Sequence, residues 1–177
     1  LQELKKENCD SQIRTEEFSF FAPQIKRSFF EVTAPYHKVY EACTFGFCAN
    51  TDENGLEADF VYLENADDIN MKQANGKIVM VNDPVRKDMY RKLVEAGAVG
   101  FISIAGSPLD EGADLVPRAY GLPKNLPGEE KKAAGKEAQN YDNRIPGVSI
   151  HYKDAIELVT KGASQVCLSV EQETVTR

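Results

Sequence analysis

The rhythm of apolar and polar positions changes near the middle of the chain. In the first third the apolar residues are aromatic or β-branched and closely spaced. QIRTEEFSFF and RSFFEVTAP, bounded by Pro23 and Pro35, predict strands. TDENGLEADFVYL places Asp52, Asn54 and Gly55 in a turn and predicts a strand from Ala58 to Leu63. Asp67 and Asp68 open a short helical turn. The unbroken apolar run Ile78 to Val81 then fits a strand covered on both faces.

Helical spacing takes over next. In DPVRKDMYRKLVEAG, Val85, Met89 and Leu93 recur every four residues, with Tyr90 and Val94 beside them. Arg86, Lys87, Asp88, Arg91, Lys92 and Glu95 take the opposite, wet face. Asp83 suits an N-cap, Pro84 the first helical position and Gly97 a left-handed end. AVGFISIA is a second buried strand, so Lys77 to Ala105 reads as strand–helix–strand; Gly100 is expected to let that strand approach a packed neighbour. PGVSIHYKDAIELVTKGASQVCLSV repeats the order more weakly, with Gly162 matching Gly97. Its last strand alternates Val166, Leu168 and Val170 against Gln165, Cys167 and Ser169. That alternation predicts a half-exposed strand near a sheet edge. Between the two units, Gly106 to Pro146 carries Pro108, Pro117, Pro123, Pro127 and a charged GEEKKAAGKEAQ. A loop of that length inside a compact domain is functional or disordered. Its aromatic and cationic members, Arg118, Tyr120, Tyr141 and Arg144, are the candidate interaction residues.

Composition narrows the classes. The 177 residues are 42% hydrophobic and 28% charged, which suits one domain with a proper core. A net charge of −7 argues against a nucleic-acid partner, because an acidic surface repels phosphate backbones. No run approaches the roughly 20 apolar residues of a membrane span. No secretory signal is visible, and the compartment stays open. The chain opens on a helical LQELKKEN and closes on VEQETVTR just after a strand pattern, and is expected to be a piece of a larger protein.

Chemistry-bearing motifs are scarce. The glycines of RKLVEAGAVGFISIAG follow a helix and precede a strand, the reverse of a dinucleotide fingerprint, at the end where the helix dipole repels phosphate. No Gly-Lys-Ser/Thr follows a glycine loop, and no Gly-x-Ser-x-Gly occurs; Ser103 sits in an apolar strand. Cys43 and Cys48 bracket TFGF, while Cys9 and Cys167 stand apart. That spacing is poor for zinc and favours buried free thiols, leaving a Cys43–Cys48 bond undecided. The acidic Asp52-Glu53-Asn54 lacks the further spaced ligands of a calcium loop. His37, near Cys43, and His151, at a strand-to-helix junction, stand outside any recognisable motif.

Taken in order, Gly76-Lys77-Ile78-Val79, a helix ending Ala96-Gly97-Ala98, the strand Val99–Ile104, and Pro146–Ile150 with its following helix resemble the protease-associated domain. That domain is inserted in di-zinc aminopeptidases, the transferrin-receptor group, some subtilases and sorting receptors. The resemblance spans about residues 57–170 apart from the long loop. It implies an α/β (α+β) fold: a mixed sheet or open-barrel-like core, a few flanking helices and two strand–helix–strand units. LQELKKENCDSQIRTEEFSFFAP also resembles the lead-in to this insert in zinc aminopeptidases. Residues 1–25 would then be a flank of the parent peptidase, and 26–177 the domain with its 106–146 loop. The family's zinc ligands follow the insert and begin with His-x-Asp, a motif this sequence lacks. So the resemblance implies a non-catalytic module with no cofactor or metal of its own, and zinc in a catalytic domain outside it. Its partners would be the parent peptidase domain, a peptide substrate or a second copy. Two other readings stand beside this one: a peptide-binding module of a receptor or another protease, and a small α/β enzyme using His151, Cys43 or the acidic turns.

Overall fold

The computed structural model describes residues 21–107 and 144–176, with 16, 17 and 109 besides. Over these the chain forms β1 (Phe21–Ala34), β2 (Lys38–Tyr40), β3 (Cys43–Thr44), β4 (Leu56–Leu63), α1 (Asp68–Met71), a 3-10 turn (Lys72–Ala74), β5 (Ile78–Val81), α2 (Lys87–Glu95), β6 (Gly100–Ala105), β7 (Gly147–His151), α3 (Tyr152–Thr160) and β8 (Gln165–Thr176). The strands make one mixed sheet in the order β2-β1-β8-β4-β5-β6-β7-β3. The pairs β4–β5, β5–β6 and β6–β7 are parallel; the others are antiparallel. The sheet curls until its far end meets β1, with Thr44 Oγ1 donating to the Arg27 carbonyl (3.3 Å) and Ser28 Oγ to that of Ala42 (3.0 Å). The α+β fold with an open-barrel-like sheet is therefore present as expected.

Helices explain the apolar runs. Tyr90 of α2 packs edge-on to Phe101 at 5.6 Å, and Phe101 edge-on to Phe45 at 5.2 Å. On the other face α3 lies over Tyr62, Met80 and Ile104. Strands covered twice have no wet face, so Ile78, Val79, Met80 and Val81 are all buried. Gly100 has Leu56, Ile78 and Leu168 side chains 3.2–3.4 Å from where a Cβ would sit, the close approach its position predicts.

Both helices stop in the same way. Gly97 and Gly162 have φ of 78° and 65°. Behind them Ala98 N donates to Leu93 O and Gly97 N to Val94 O; Ala163 N donates to Leu158 O and Gly162 N to Val159 O. These are two Schellman caps, each closing the last free carbonyls of its helix. Ahead of the first helix, Asp67 Oδ1 caps α1 through Asn70 N (2.8 Å), as its place in the sequence predicts.

Four details depart from the sequence reading. The strand expected from Ala58 starts at Leu56. Pro23 does not bound a strand but lies within β1 opposite Thr174. The ring is tolerated there because β2 covers only Phe30–Val32 of β1, leaving the Pro23 side of the strand outside that pairing. The second helix starts at Lys87 rather than Pro84: Arg86 stays extended (φ −103°, ψ −178°), which lets Val85 reach the core. Finally, β8 is not near an edge but lies between β1 and β4. Its alternation marks one wetter face of an interior antiparallel strand. The β1–β8 register shifts between Ile25 and Arg27.

Candidate functional site

Two features stand out on the described surface. The first is a two-stranded ribbon. Beyond Ser28–Val170, β1 and β8 continue as a pair to Phe21 opposite Thr176. Lys26–Glu173 (2.7 Å) and Arg27–Glu171 (3.8 Å) ion pairs brace its outer side. At the ribbon's base, on the core-facing side, Gln172 reaches into the turn after β3. Its Nε2 donates to the carbonyls of Phe45 (3.2 Å) and Cys48 (2.9 Å), and its Oε1 accepts from Phe47 N (2.8 Å). Phe47 holds φ = 66°, a left-handed conformation uncommon for an aromatic residue. Asn50 adds two bonds to the main chain of Gln172.

The second is a groove of about 150 Å³ at the carboxyl ends of the parallel strands, lined by Tyr62, Asn82, Ile104, Tyr152, Ile156 and Val159. Ile156 and Val159 of α3 are 48% and 42% exposed. Burial pushes the Tyr62 hydroxyl above its ordinary range, so it stays a neutral hydrogen-bonding group. Open parallel sheets commonly present ligand crevices at this end.

The residues singled out in the sequence are scattered. Arg118, Tyr120 and Tyr141, like Cys9, lie outside the described residues. Arg144 is not displayed: it is 6% exposed and donates Nη1 to the Phe47 carbonyl. His37 turns to Glu31 (2.9 Å) and His151 to Glu41 (3.2 Å). Cys43, Cys48 and Cys167 are free thiols, so Cys43 and Cys48 are not bonded to each other. Burial raises all three, Cys48 to about 12, which favours the thiol over the nucleophilic thiolate. Asp52 Oδ1 accepts from Asn54 N (2.9 Å) in a solvent-exposed turn. Among the described residues no three His, Cys, Asp or Glu side chains are grouped to hold a metal ion. None of their helices is long and apolar enough to cross a membrane.

The sequence reading missed Gln172 and the α3 groove. A polar residue at the next core-facing position after Val166, Leu168 and Val170 was the available signal for Gln172. For the groove it was the apolar Ile156 and Val159 beside Ala155 and Leu158, a wider band than one buried stripe needs.

No protein-family model matches the sequence, and no curated protein sequence matches it significantly. Solved structures do match its fold. An aminopeptidase from an Aneurinibacillus species aligns with a TM-score of 0.56 and 17% identity, over 90% of this chain and 35% of that one. The zinc aminopeptidase of Bacillus subtilis gives 0.58 and 17%, over 89% and 35%. A peptidase M28 precursor from Shewanella amazonensis gives 0.53 and 17%, over 90% and 38%. This chain spans little more than a third of their length. The likeness is one of fold: the chain has a mixed α+β fold also found within these two aminopeptidases and this peptidase M28 precursor.

Proposed function

We propose that the chain is a non-catalytic protease-associated domain of a zinc-dependent aminopeptidase, which frames substrate access or carries protein contacts for its parent. One observation carries this reading. Nine-tenths of the chain matches a fold that occupies only about a third of each of the two matched aminopeptidases. The ribbon supports it, because Phe21 and Thr176 pair and so bring the two ends of the fold side by side. A module with adjacent ends can be inserted at one point of a host chain without disturbing it. Zinc, on this reading, would belong to the parent's catalytic domain.

The test has two arms. The coding sequence around this chain should encode the zinc ligands of such a peptidase, beginning with His-x-Asp. The 177-residue chain itself should hydrolyse no aminoacyl anilide and bind no zinc at stoichiometric level. One bound equivalent of zinc together with hydrolysis would overturn the reading.

A further inference from the structure

We propose that Gln172 and the left-handed turn at Phe47 form a mechanical link between the ribbon and the segment on which the 106–146 loop returns to the sheet. The turn is held from two directions. From the ribbon, Gln172 grips Phe45, Phe47 and Cys48 through their main chain, and Asn50 grips Gln172 in return. From the other side, Phe45 N donates to the Gly147 carbonyl (3.1 Å), Ala49 N to the Ile145 carbonyl (3.4 Å), and Arg144 to the Phe47 carbonyl. The turn therefore stands between β8, where it runs out into the ribbon, and residues 144–147, where β7 begins.

Phe47 makes this a link rather than two independent attachments. A non-glycine residue at φ = 66° persists only where its surroundings over-determine it. Release of Gln172 removes that hold, and the turn relaxes toward an ordinary conformation. Relaxation withdraws the amides of Phe45 and Ala49 from Gly147 and Ile145, so residues 144–147 loosen with it. Seating of the ribbon and seating of the loop's return are then one cooperative event. If the ribbon faces a parent peptidase, as the reading above has it, docking there would be felt where the long loop rejoins the sheet. That use rests on the proposed function; the coupling itself does not.

Amide hydrogen exchange on the 177-residue chain tests it, in the wild type, Gln172→Ala, Phe47→Gly and the double variant. In Gln172→Ala, exchange at Ala49 and Ile145 should rise at least tenfold, while Ala98, in the α2 cap, keeps its rate. On the Phe47→Gly background the same substitution should raise exchange by less than about threefold, since glycine needs no hold at that φ. Equal effects on both backgrounds, or a uniform rise that includes Ala98, would overturn the link. Should Gln172→Ala fail to fold, the wild type decides. A common exchange rate at Phe45, Phe47 and Ala49, with one shared response to urea, supports the link, and three unrelated rates sink it. A failed link leaves the peptidase reading intact, and that reading fails separately if the flanking coding sequence lacks the zinc ligands.

Discussion

The two strand–helix–glycine–strand stretches share a local design and end in different topologies. In the first, β5 and β6 are parallel neighbours joined by α2. In the second, β7 leads through α3 to a strand that pairs with β1 and β4, on the far side of the sheet, and runs opposite to β7. The caps are equivalent, as are the buried leucines Leu93 and Leu158. Local residues thus set where a helix forms and stops. Which sheet position the next strand takes is set by partners far away in sequence.

The largest expected effects test how far the two units are equivalent. Leu93→Ala and Leu158→Ala should each cost about 2–5 kcal/mol, read from urea unfolding. The second should lie at the lower end, because Ile156 and Val159 leave α3 partly open to repacking. A negligible loss at Leu93 would show that α2 does not seal the core. Next come the caps. Gly162→Ala should cost about 1–2 kcal/mol, the left-handed penalty alone, since nothing lies within 4 Å of its Cβ position. Gly97→Ala should cost more, because the Asn75 side-chain oxygen crowds that Cβ position. Equal thermal shifts would mean that Asn75 moves aside freely.

Alkali probes the second unit through Cys48, whose thiol donates to the Gly147 carbonyl at the start of β7. Its folded pKa is raised from 9.0 to about 12, so the stabilisation is full below pH 9 and is lost as pH climbs toward 12. The Cys48 share of the slope should approach about 1.4 kcal/mol per pH unit in that window, and Cys48→Ala should make the alkaline slope shallower by that amount. Titration of the Cys48 thiol in the folded chain at its ordinary value of 9.0 would remove the effect. Smallest of all is the α3 ion network. Glu157 accepts from Lys161 (2.6 Å) and Lys38 (2.7 Å), which lower its pKa. The stabilisation is therefore present above the usual carboxylate range and lost as pH falls below 4.5. Glu157→Gln should abolish that acid sensitivity, and salt should weaken it in the wild type.

Most of the parallel half was legible in the sequence, because its information is local. The apolar run at Ile78, the Tyr90/Leu93 stripe and the glycine caps each state their environment within a few residues. The antiparallel half was less so. Nothing near Val166 says whether its strand is an edge or a centre; that depends on Phe30 and Leu56, which pair across it through Leu168. Gln172 escaped for the same reason, since its partners at Phe45 to Cys48 are well over a hundred residues earlier.

The β1–β8 pairing also sets an order of events at the ribosome. Strand β1 is made before the other described strands, with Phe29, Phe30 and Val32 on it, yet its longest partner strand, β8, lies well over a hundred residues further on. At ordinary synthesis rates the wait is on the order of ten seconds. During that time β5, α2 and β6 have all their local partners, while β1 has only the three-residue β2 to pair with among the strands described. The nascent chain therefore carries an apolar strand seeking a mate until β8 arrives, and that is the interval in which a chaperone, or a second nascent chain, would find it.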